Sequence, residues 1–476
     1  MLLTFVCIYI LISAGIGFYV STKVKNTRDF AIAGRHLPLP VVIATVFATW
    51  FGAEAIFGVS STFVNEGLHG LAADPFGASM CLIIAGFLFS KYLYHLNFIT
   101  LGDFYRKRYD RKIEVITSIA ILISYLGWVA AQIKALGLII NVLTDHQVSE
   151  EVGMIIGTLI VVSYTTLGGM LSVAILDFIQ MLVIISGLLF ISYIVSDMSG
   201  GVMTVLDHAR ENNKFDFWPK GNIFTWISFF GVWVTLMLGS IPQQDVFQRI
   251  TSAKTAKIAF WGSIFGASIY FTFTFVPMFI AYSATIIDPV YFQSIIEFDS
   301  QYVLPEFIIK YTPPIAQIIF FLVFISAIMS CSSATLLAPS VTFAENVIKP
   351  LRPGMTDKEF LKMMRICLVV FSFVVLNYAL ASNLSIFQMV ESAYKVTLAG
   401  AFTPLIFGIF WKKANHHGAL ASICFGIATW VFFEIIYGEE GLIPAQLIGL
   451  FVSMVSMVLV SLMTQQSTLA GAAKKT

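Results

Sequence analysis

The sequence predicts an all-α membrane protein with about thirteen transmembrane helices. Hydrophobic residues make up 58% of the 476 residues and charged residues only 12%, whereas a soluble domain carries about 25% charged residues. Apolar stretches long enough to cross a bilayer recur along the whole chain. The predicted spans are residues 2–20, 39–64, 69–91, 113–141, 153–166, 171–196, 224–241, 258–284, 315–345, 363–381, 385–411, 417–437 and 442–463.

The basic residues between the spans predict the orientation. With the amino terminus outside, about 21 lysines and arginines fall in cytoplasmic segments and about four in outer ones, as the positive-inside rule requires. No basic residue precedes the first span, and Lys23, Lys25 and Arg28 follow it. This charge order indicates a retained span and not a cleaved signal peptide. We therefore predict a multi-pass protein of the cell membrane with a cytoplasmic carboxyl terminus.

Composition excludes several classes of function. A net charge of +1 provides no basic surface for nucleic acid. The five cysteines lie in apolar spans without a CxxC pair, and the seven histidines are scattered, so neither disulfides nor a zinc site is predicted. The phosphate-binding motif GxxxxGK[ST] is absent from the sequence, which disfavours an ATP-driven pump.

Residues 48–58 interrupt the second span. They place Glu54, Gly52 and Gly58 at membrane depth, where a charge costs about 3 kcal/mol or more and irregular backbone is tolerated only against protein or a water-filled cavity. A broken helix that lines a solute site meets both conditions. The alternative is a glycine-rich packing face in which Glu54 pairs with a basic neighbour.

A second interruption, at residues 236–245, dissolves an apolar span into Gly239, Pro242 and Gln243. Discontinuous helices at corresponding places in two halves are typical of secondary transporters built from inverted repeats. We predict one transmembrane domain over residues 1–476, with repeats at about 39–196 and 224–411. The peripheral helices would be residues 2–20, 417–437 and 442–463.

Two polar features suggest a cation site. Asp177 follows the Gly168-Gly169 pair and either caps a helix start or coordinates a cation with its carboxylate oxygens. The ninth span carries hydroxyls at three- and four-residue spacing, which fall on one helical face. They form either a helix-helix seam or part of a cation cage, and they are Ser326, Ser330, Ser332, Ser333, Thr335 and Ser340.

Spans four and eleven contain further polar residues at membrane depth. Glu391 and Lys395 are four residues apart and can neutralise each other on one helical face. Glu54 and Lys134 form a second candidate pair between helices. Either pair would serve as a gate if it broke during a transport cycle. The other polar and aromatic residues of these spans are Trp128, Gln132, Gln388 and Tyr394.

Five motifs in chain order resemble the sodium:solute symporter family and cover spans two to twelve. Ala48-Thr49-Trp50 and residues 236–242 look most like the high-affinity choline transporter branch, with proline and other amino-acid symporters close. The motifs are residues 48–58; Tyr164, Gly168, Gly169, Val173, Asp177 and Gln180; Pro242, Gln243, Gln248, Arg249, Ala253 and Lys254; Ala327, Met329, Ser330, Ser332, Phe343 and Asn346; and Gly400, Ala401, Trp411, Asn415, Gly418 and Ala419.

The resemblance implies a leucine-transporter-like 5+5 inverted repeat with broken first and sixth core helices. It implies a sodium site with Asp177 on the ion's path, made of the carbonyls of Ala48, Phe51 and Ala327, the hydroxyl of Ser330 and residue 331. Residue 331 is Cys331 where the family usually has a hydroxyl, and a thiol is a poor sodium ligand. Ser330 then acts alone, or Ser333 helps, or coupling is weaker or uses protons.

The resemblance also implies a substrate pocket that contains two tryptophans, whose faces hold quaternary ammonium ions at up to about 2 kcal/mol. The choline branch has a third tryptophan where this sequence has Gln243. The amide favours a solute with a hydrogen-bonding group, such as an amino acid or another zwitterion. The candidate substrate residues are Trp50, Glu54, Ala55, Trp128, Gln132, Gln243 and Tyr394.

We predict a sodium-coupled symporter that imports a small polar organic solute by alternating access. The solute would be an amino acid such as proline or a choline-like or betaine-like amine. The co-transported ion is sodium, and no enzymatic activity, organic cofactor or nucleic-acid partner is predicted. Membrane lipids surround the protein, and the sequence does not indicate an oligomeric state. The alternatives are a solute sensor without net transport, a proton-coupled symporter and an intramembrane enzyme.

Overall fold

A computed structural model describes residues 2–438 and 441–473, with side chains up to Gln465. Its regular structure is helical, apart from one isolated bridge between Leu37 and Ala253. In this part of the chain, ten helices are long and apolar enough to cross a membrane, or eleven if one bent pair counts as a single span. The all-helical membrane architecture predicted from the sequence is confirmed.

The helices that form or adjoin the spans are numbered in chain order. They are α1 (Leu2–Ser21), α2 (Leu39–Trp50), α3 (Glu54–Leu96), α4 (Arg111–Leu143), α5 (Glu150–Met198), α6 (Ile223–Gly239), α7 (Gln244–Ser252), α8 (Ala256–Ile287), α9 (Pro314–Leu351), α10 (Asp357–Ala381), α11 (Ile386–Phe410), α12 (His416–Tyr437) and α13 (Ala445–Gln465). Short helices lie between them at Thr27–Ile32, Leu101–Arg108, Val202–Glu211, Pro289–Asp299 and Val303–Tyr311.

The difference between ten or eleven spans and the predicted thirteen lies in where helices are divided. The prediction joined α2 to the first turns of α3 and divided α5 near Gly169. Helix α5 has 49 residues, which would be about 74 Å if straight, more than twice a bilayer core of about 30 Å. Its backbone leaves helical geometry at Gly169 (φ 53°, ψ −154°). That kink separates the two predicted spans.

Both predicted interruptions are real breaks. Helix α2 starts after Pro38 and ends at Trp50; Phe51 has a non-helical ψ of 69°, and the next helical turn starts at Glu54. The second break separates α6 from α7, which meet at an angle of 45°. A broken helix leaves backbone groups without partners inside the chain. Side chains near both breaks therefore have to satisfy them.

The packing of the helices brings the first break to the centre of the molecule. Helix α2 packs against α5, α8 and α9, while α9 packs along α4 and α5. Helices α12 and α13 pack mainly against each other, and α1 lies along α5 and α9. The peripheral positions of α1, α12 and α13 agree with the partly exposed apolar surfaces of all three.

Gly169 tests the division of α5. A Cβ at this position would lie 2.5 Å from the carbonyl oxygen of Phe30, and its φ of +53° is strained for any other residue. We expect Gly169→Ala to cost about 1–3 kcal/mol of stability and to lower the melting temperature of the detergent-solubilised protein. The control is Gly15→Ala in α1, where a Cβ meets nothing within 4 Å. Equal melting temperatures for both variants would contradict the kink.

Candidate functional site

Glu54 is fixed by two side chains of α4. Trp128 Nε1 donates to Glu54 Oε1 at 2.9 Å and Gln132 Nε2 donates to Glu54 Oε2 at 2.6 Å. Gln132 also accepts a hydrogen bond at 2.9 Å from the backbone N–H of Ala53, a donor that the helix break has freed. An amide side chain both donates and accepts. Gln132 therefore satisfies the broken backbone and the carboxylate together.

The first break also packs closely against α9. A Cβ on Gly52 would lie 2.7 Å from Cys331 Sγ and 2.7 Å from Gln132 Oε1. Cys331 Sγ lies 4.0 Å from Glu54 Oε1. Only glycine allows this approach of the backbone to α9. Cys331 therefore faces the region of Glu54.

Four aromatic residues form what we call the aromatic cluster: Trp50, Tyr125, Trp128 and Tyr394. The ring centroids of Trp50 and Trp128 are 5.3 Å apart, and Tyr394 stacks on Trp50 at 6.4 Å and contacts Trp128 at 5.8 Å. Tyr125 stacks on Trp128 at 6.0 Å. Each side chain is at most 3% exposed. Trp50, Trp128 and Tyr394 were predicted from the sequence. Trp50 lies on α2, Tyr125 and Trp128 lie on α4, and Tyr394 lies on α11.

A second carboxylate, Asp245, lies at the other side of the aromatic cluster. It is the second residue of α7, directly after the second break, and is fully buried. Trp50 Nε1 donates to its Oδ2 at 3.2 Å, and the Tyr125 hydroxyl donates to its Oδ1. Sequence reasoning missed Asp245, although a carboxylate directly after a helix break is the same signal that marked Glu54.

Gln243 and Arg249 lie beside Asp245. Gln243 Nε2 donates to Ser124 Oγ at 2.8 Å, whereas its Oε1 is buried and has no hydrogen-bond partner among the described residues. Arg249 donates through one terminal nitrogen to Thr49 Oγ1 at 2.7 Å and through the other to the Asp245 carbonyl at 3.3 Å. The second break therefore presents an unused acceptor and one buried cation.

A separate cluster surrounds Asp177 of α5. Ser330 Oγ of α9 donates to Asp177 Oδ1 at 2.5 Å, and the Thr45 hydroxyl of α2 donates to Oδ2. Ser333 Oγ donates to the Ser330 carbonyl at 2.9 Å. Asp177 thus joins three helices through hydroxyls. Thr45 was not predicted, because a hydroxyl inside an apolar helix commonly bonds to its own backbone and carries no separate signal.

The remaining predicted site residues lie in the surrounding core. Ala48, Phe51, Ala55 and Ala327 are fully buried. The last turn of α2 ends with the bond from Phe51 N–H to the Phe47 carbonyl at 2.9 Å. The carbonyls after Phe47, beginning with that of Ala48, lie at the end of the helix, where the regular intrahelical partners stop.

The predicted ion pair between Glu54 and Lys134 is wrong. Lys134 Nζ donates instead to the Leu384 carbonyl at 2.7 Å, while Trp128 and Gln132 hold Glu54. Gln132 and Lys134 are two residues apart on α4, which is about 200° around the helix. They therefore cannot face the same partner.

Lys395 forms an ion pair that the sequence did not predict. Its Nζ lies 2.8 Å from Glu434 Oε1 of α12. Glu391 lies near this pair, and all three side chains line a cavity of about 660 Å³. Lys395 directly follows Tyr394 in the chain, so the cavity lies one residue along α11 from the aromatic cluster. In the predicted orientation it opens on the outer side.

Comparison with known proteins places these features in context. A sequence model described as "Sodium:solute symporter family" matches residues 30–426. The chain is 27% identical over 464 residues to the high affinity choline transporter 1 of Homo sapiens, covering 92% of this chain and 77% of that one. It is 25% identical over 475 residues to the high-affinity proline transporter PutP of Bacillus subtilis (strain 168), covering 94% and 95%.

Two solved structures support the same fold. The substrate-bound outward-open state of a Na⁺-coupled sialic acid symporter aligns with a TM-score of 0.80 at 18% identity, covering 97% of this chain and 98% of that one. The closed conformation of Mhp1, a nucleobase-cation-symport-1 family transporter, aligns with a TM-score of 0.55 at 16% identity, covering 90% and 94%. The likeness confirms the leucine-transporter-like fold predicted above.

Gly52 provides a test of the site's packing. We expect Gly52→Ala to lower the melting temperature, because the new Cβ overlaps Cys331 Sγ and Gln132 Oε1 and overpacking costs about 1–3 kcal/mol. The double variant with Cys331→Ala should recover part of the loss, since the sulfur is gone but the Cys331 Cβ remains 2.8 Å away. An unchanged melting temperature for Gly52→Ala would show that the backbone does not approach α9 as described.

Proposed function

The chain belongs to the sodium:solute symporter family, and we propose that it imports a small polar organic solute together with sodium by alternating access. It is a multi-span membrane protein, and its named relatives are transporters. We further propose the cell membrane as its location, with the amino terminus outside. The observation that carries the proposal is the cluster at Asp177, which links the broken helix to α9.

The sodium site would lie at Asp177, Ser330 and Thr45. A buried carboxylate with two hydroxyls offers the hard oxygen ligands that such cations prefer. The carbonyl of Ala48, with those of Phe51 and Ala327, would complete the site. Cys331 packs against Gly52 and Glu54. This position supports the alternative in which Ser330 is a sodium ligand and Cys331 is not. Ser333 donates to the Ser330 carbonyl and would support the site indirectly.

The solute would bind at the aromatic cluster between Glu54 and Asp245. The named relatives transport choline and proline, and both of those solutes carry a positively charged nitrogen. Aromatic faces attract such a nitrogen, and the attraction increases when the site is dry. Buried carboxylates beside the rings add a direct countercharge. We therefore propose a solute with a cationic nitrogen.

Alternating access would use the two breaks. Sodium at Asp177 would hold α2 against α9 and would favour one arrangement of the broken helix, since a ligand stabilises the state that it binds better. The cavity beside Lys395 would be the entry path, and the ion pair between Lys395 and Glu434 would restrain α11 against α12. Breaking this pair would let the outer half of α11 move.

A proton-coupled symporter is the second candidate, and one observation favours it. Asp74 is a further buried carboxylate, 3% exposed, whose Oδ1 accepts a hydrogen bond from the Tyr270 hydroxyl at 2.5 Å. Among the described residues, no ion-pair partner for Asp74 is observed. A carboxylate of this kind can carry a proton through a transport cycle.

Reconstituted uptake tests the function directly. Proteoliposomes with an imposed inward sodium gradient should accumulate a labelled amine or amino acid above its external concentration. Protein-free liposomes and an equal potassium gradient are the controls. Binding without accumulation would support a sensor, and accumulation that follows an imposed proton gradient alone would support the second candidate.

Ser330→Ala tests the sodium site. The variant loses one of the two hydroxyls at Asp177, so we expect the sodium concentration for half-maximal uptake to rise about fivefold or more, as for the loss of a hydrogen bond to a charged group. Ser340→Ala is the matched control, because that buried hydroxyl of α9 donates only to its own helix at Leu336. Unchanged sodium dependence in Ser330→Ala would refute the assignment of the site.

A further inference from the structure

The buried charges of the described residues are strongly unbalanced. One of the five buried carboxylates, Glu114, forms an ion pair with Arg111 at 2.6 Å. The other four share a single buried guanidinium, that of Arg249. The four are Glu54, Asp74, Asp177 and Asp245. Uncompensated charge at membrane depth is expensive, and transported cations can supply the missing positive charge.

We infer that the solute is an organic amine with two protonated amino groups and no carboxylate, bound along the aromatic cluster between Glu54 and Asp245. The inference rests on the proposed function, because one sodium ion is assigned to Asp177. Among the described residues, neither Glu54 nor Asp245 forms an ion pair, and Asp74 can carry its own proton. A dication supplies both charges in one solute.

The arrangement of the cluster fits a solute with two charged ends. Trp128 donates to Glu54 and Trp50 donates to Asp245, and the two indole rings are in contact at 5.3 Å. Each carboxylate therefore accepts from the N–H of a different indole ring of this touching pair. A short methylene chain would lie against the ring faces while each amino group reaches one carboxylate.

An unused acceptor calls for N–H donors. Gln243 is 1% exposed, and its Oε1 has no hydrogen-bond partner in the described part of the chain. Burying such an acceptor without a partner is costly. A protonated primary amine brings three N–H donors, whereas a quaternary ammonium ion brings none. The unused acceptor therefore favours a protonated amine over the quaternary ammonium group of a choline-like solute, whose one donor is its hydroxyl.

The site does not offer a place for a carboxylate. Both terminal nitrogens of Arg249 are already engaged by Thr49 and by the Asp245 backbone. Among the described residues its Nε has no hydrogen-bond partner, but Arg249 borders a cavity of only about 10 Å³, which is barely the space of one water molecule. An amino acid would bring an anion to a region that already holds excess negative charge. The geometry therefore disfavours zwitterions.

Uptake in proteoliposomes under an inward sodium gradient tests the inference, with labelled 1,4-diaminobutane as the probe. Unlabelled butylamine, choline and proline are the competitors. We expect sodium-driven accumulation of the diamine. Butylamine should compete at least about tenfold more weakly than unlabelled diamine, because it leaves one buried carboxylate without a partner. Choline and proline should compete more weakly still.

The outcomes separate this inference from the proposed function. Sodium-driven accumulation of labelled choline or proline, but not of the diamine, would overturn the inference and leave the symporter intact. Accumulation of the diamine without a sodium requirement would uphold the amine site and refute sodium coupling. If 1 mM diamine, about a thousandfold above a micromolar Kd, neither accumulates nor shifts the melting temperature, the inference is wrong.

A variant that removes the charge of Asp245 tests the second carboxylate of the site. In Asp245→Asn we expect the preference for diamine over butylamine to fall below about threefold, because only one carboxylate then needs a countercharge. Asp207→Asn is the control, since Asp207 pairs with Arg210 at an exposed position and touches no part of the cluster. Glu54→Gln provides the same readout if Asp245→Asn does not fold. An unchanged preference in a folded variant would overturn the inference.

Discussion

The central constraint on this molecule is negative charge held at membrane depth. Glu54, Asp74, Asp177 and Asp245 are each at most 3% exposed, with Arg249 as the single buried base of the described residues. Side chains hold each of these carboxylates by hydrogen bonds, from two helices at Asp177 and Asp245 and from one at Asp74, but hydrogen bonds do not remove the charge. In the absence of enough fixed cations, bound mobile cations or protons have to complete the core. Binding and packing are therefore coupled.

The two broken helices place these charges. Each break frees backbone groups that need hydrogen-bond partners. Polar side chains from neighbouring helices supply these partners. Gln132 binds the freed backbone and the charge together, because it accepts from the freed amide of Ala53 and donates to Glu54. At the other break, the Tyr125 hydroxyl accepts from the Asp245 amide and donates to its carboxylate. A movement of either half-helix would disturb a charged site.

The sequence was sufficient for the fold and for part of the site, for identifiable reasons. Helix breaks leave local signals, so Glu54, Trp50 and Gln243 were predictable as site candidates; Trp50 belongs to the aromatic cluster, and Glu54 accepts a hydrogen bond from its member Trp128. Asp245 carried the same signal and was missed. Pairings between helices were not predictable, because they depend on helix rotation. Lys395, for example, pairs with Glu434 of α12, a contact that the spacing of residues along the sequence does not indicate.

The dependence of stability on sodium tests the account most directly. The melting temperature of the purified protein in detergent would be measured as sodium replaces potassium at constant ionic strength. A cation that binds only the folded state raises stability with its concentration, so the account predicts a saturating rise with sodium that is lost in Asp177→Asn. Identical melting temperatures in sodium and potassium at every concentration would contradict it.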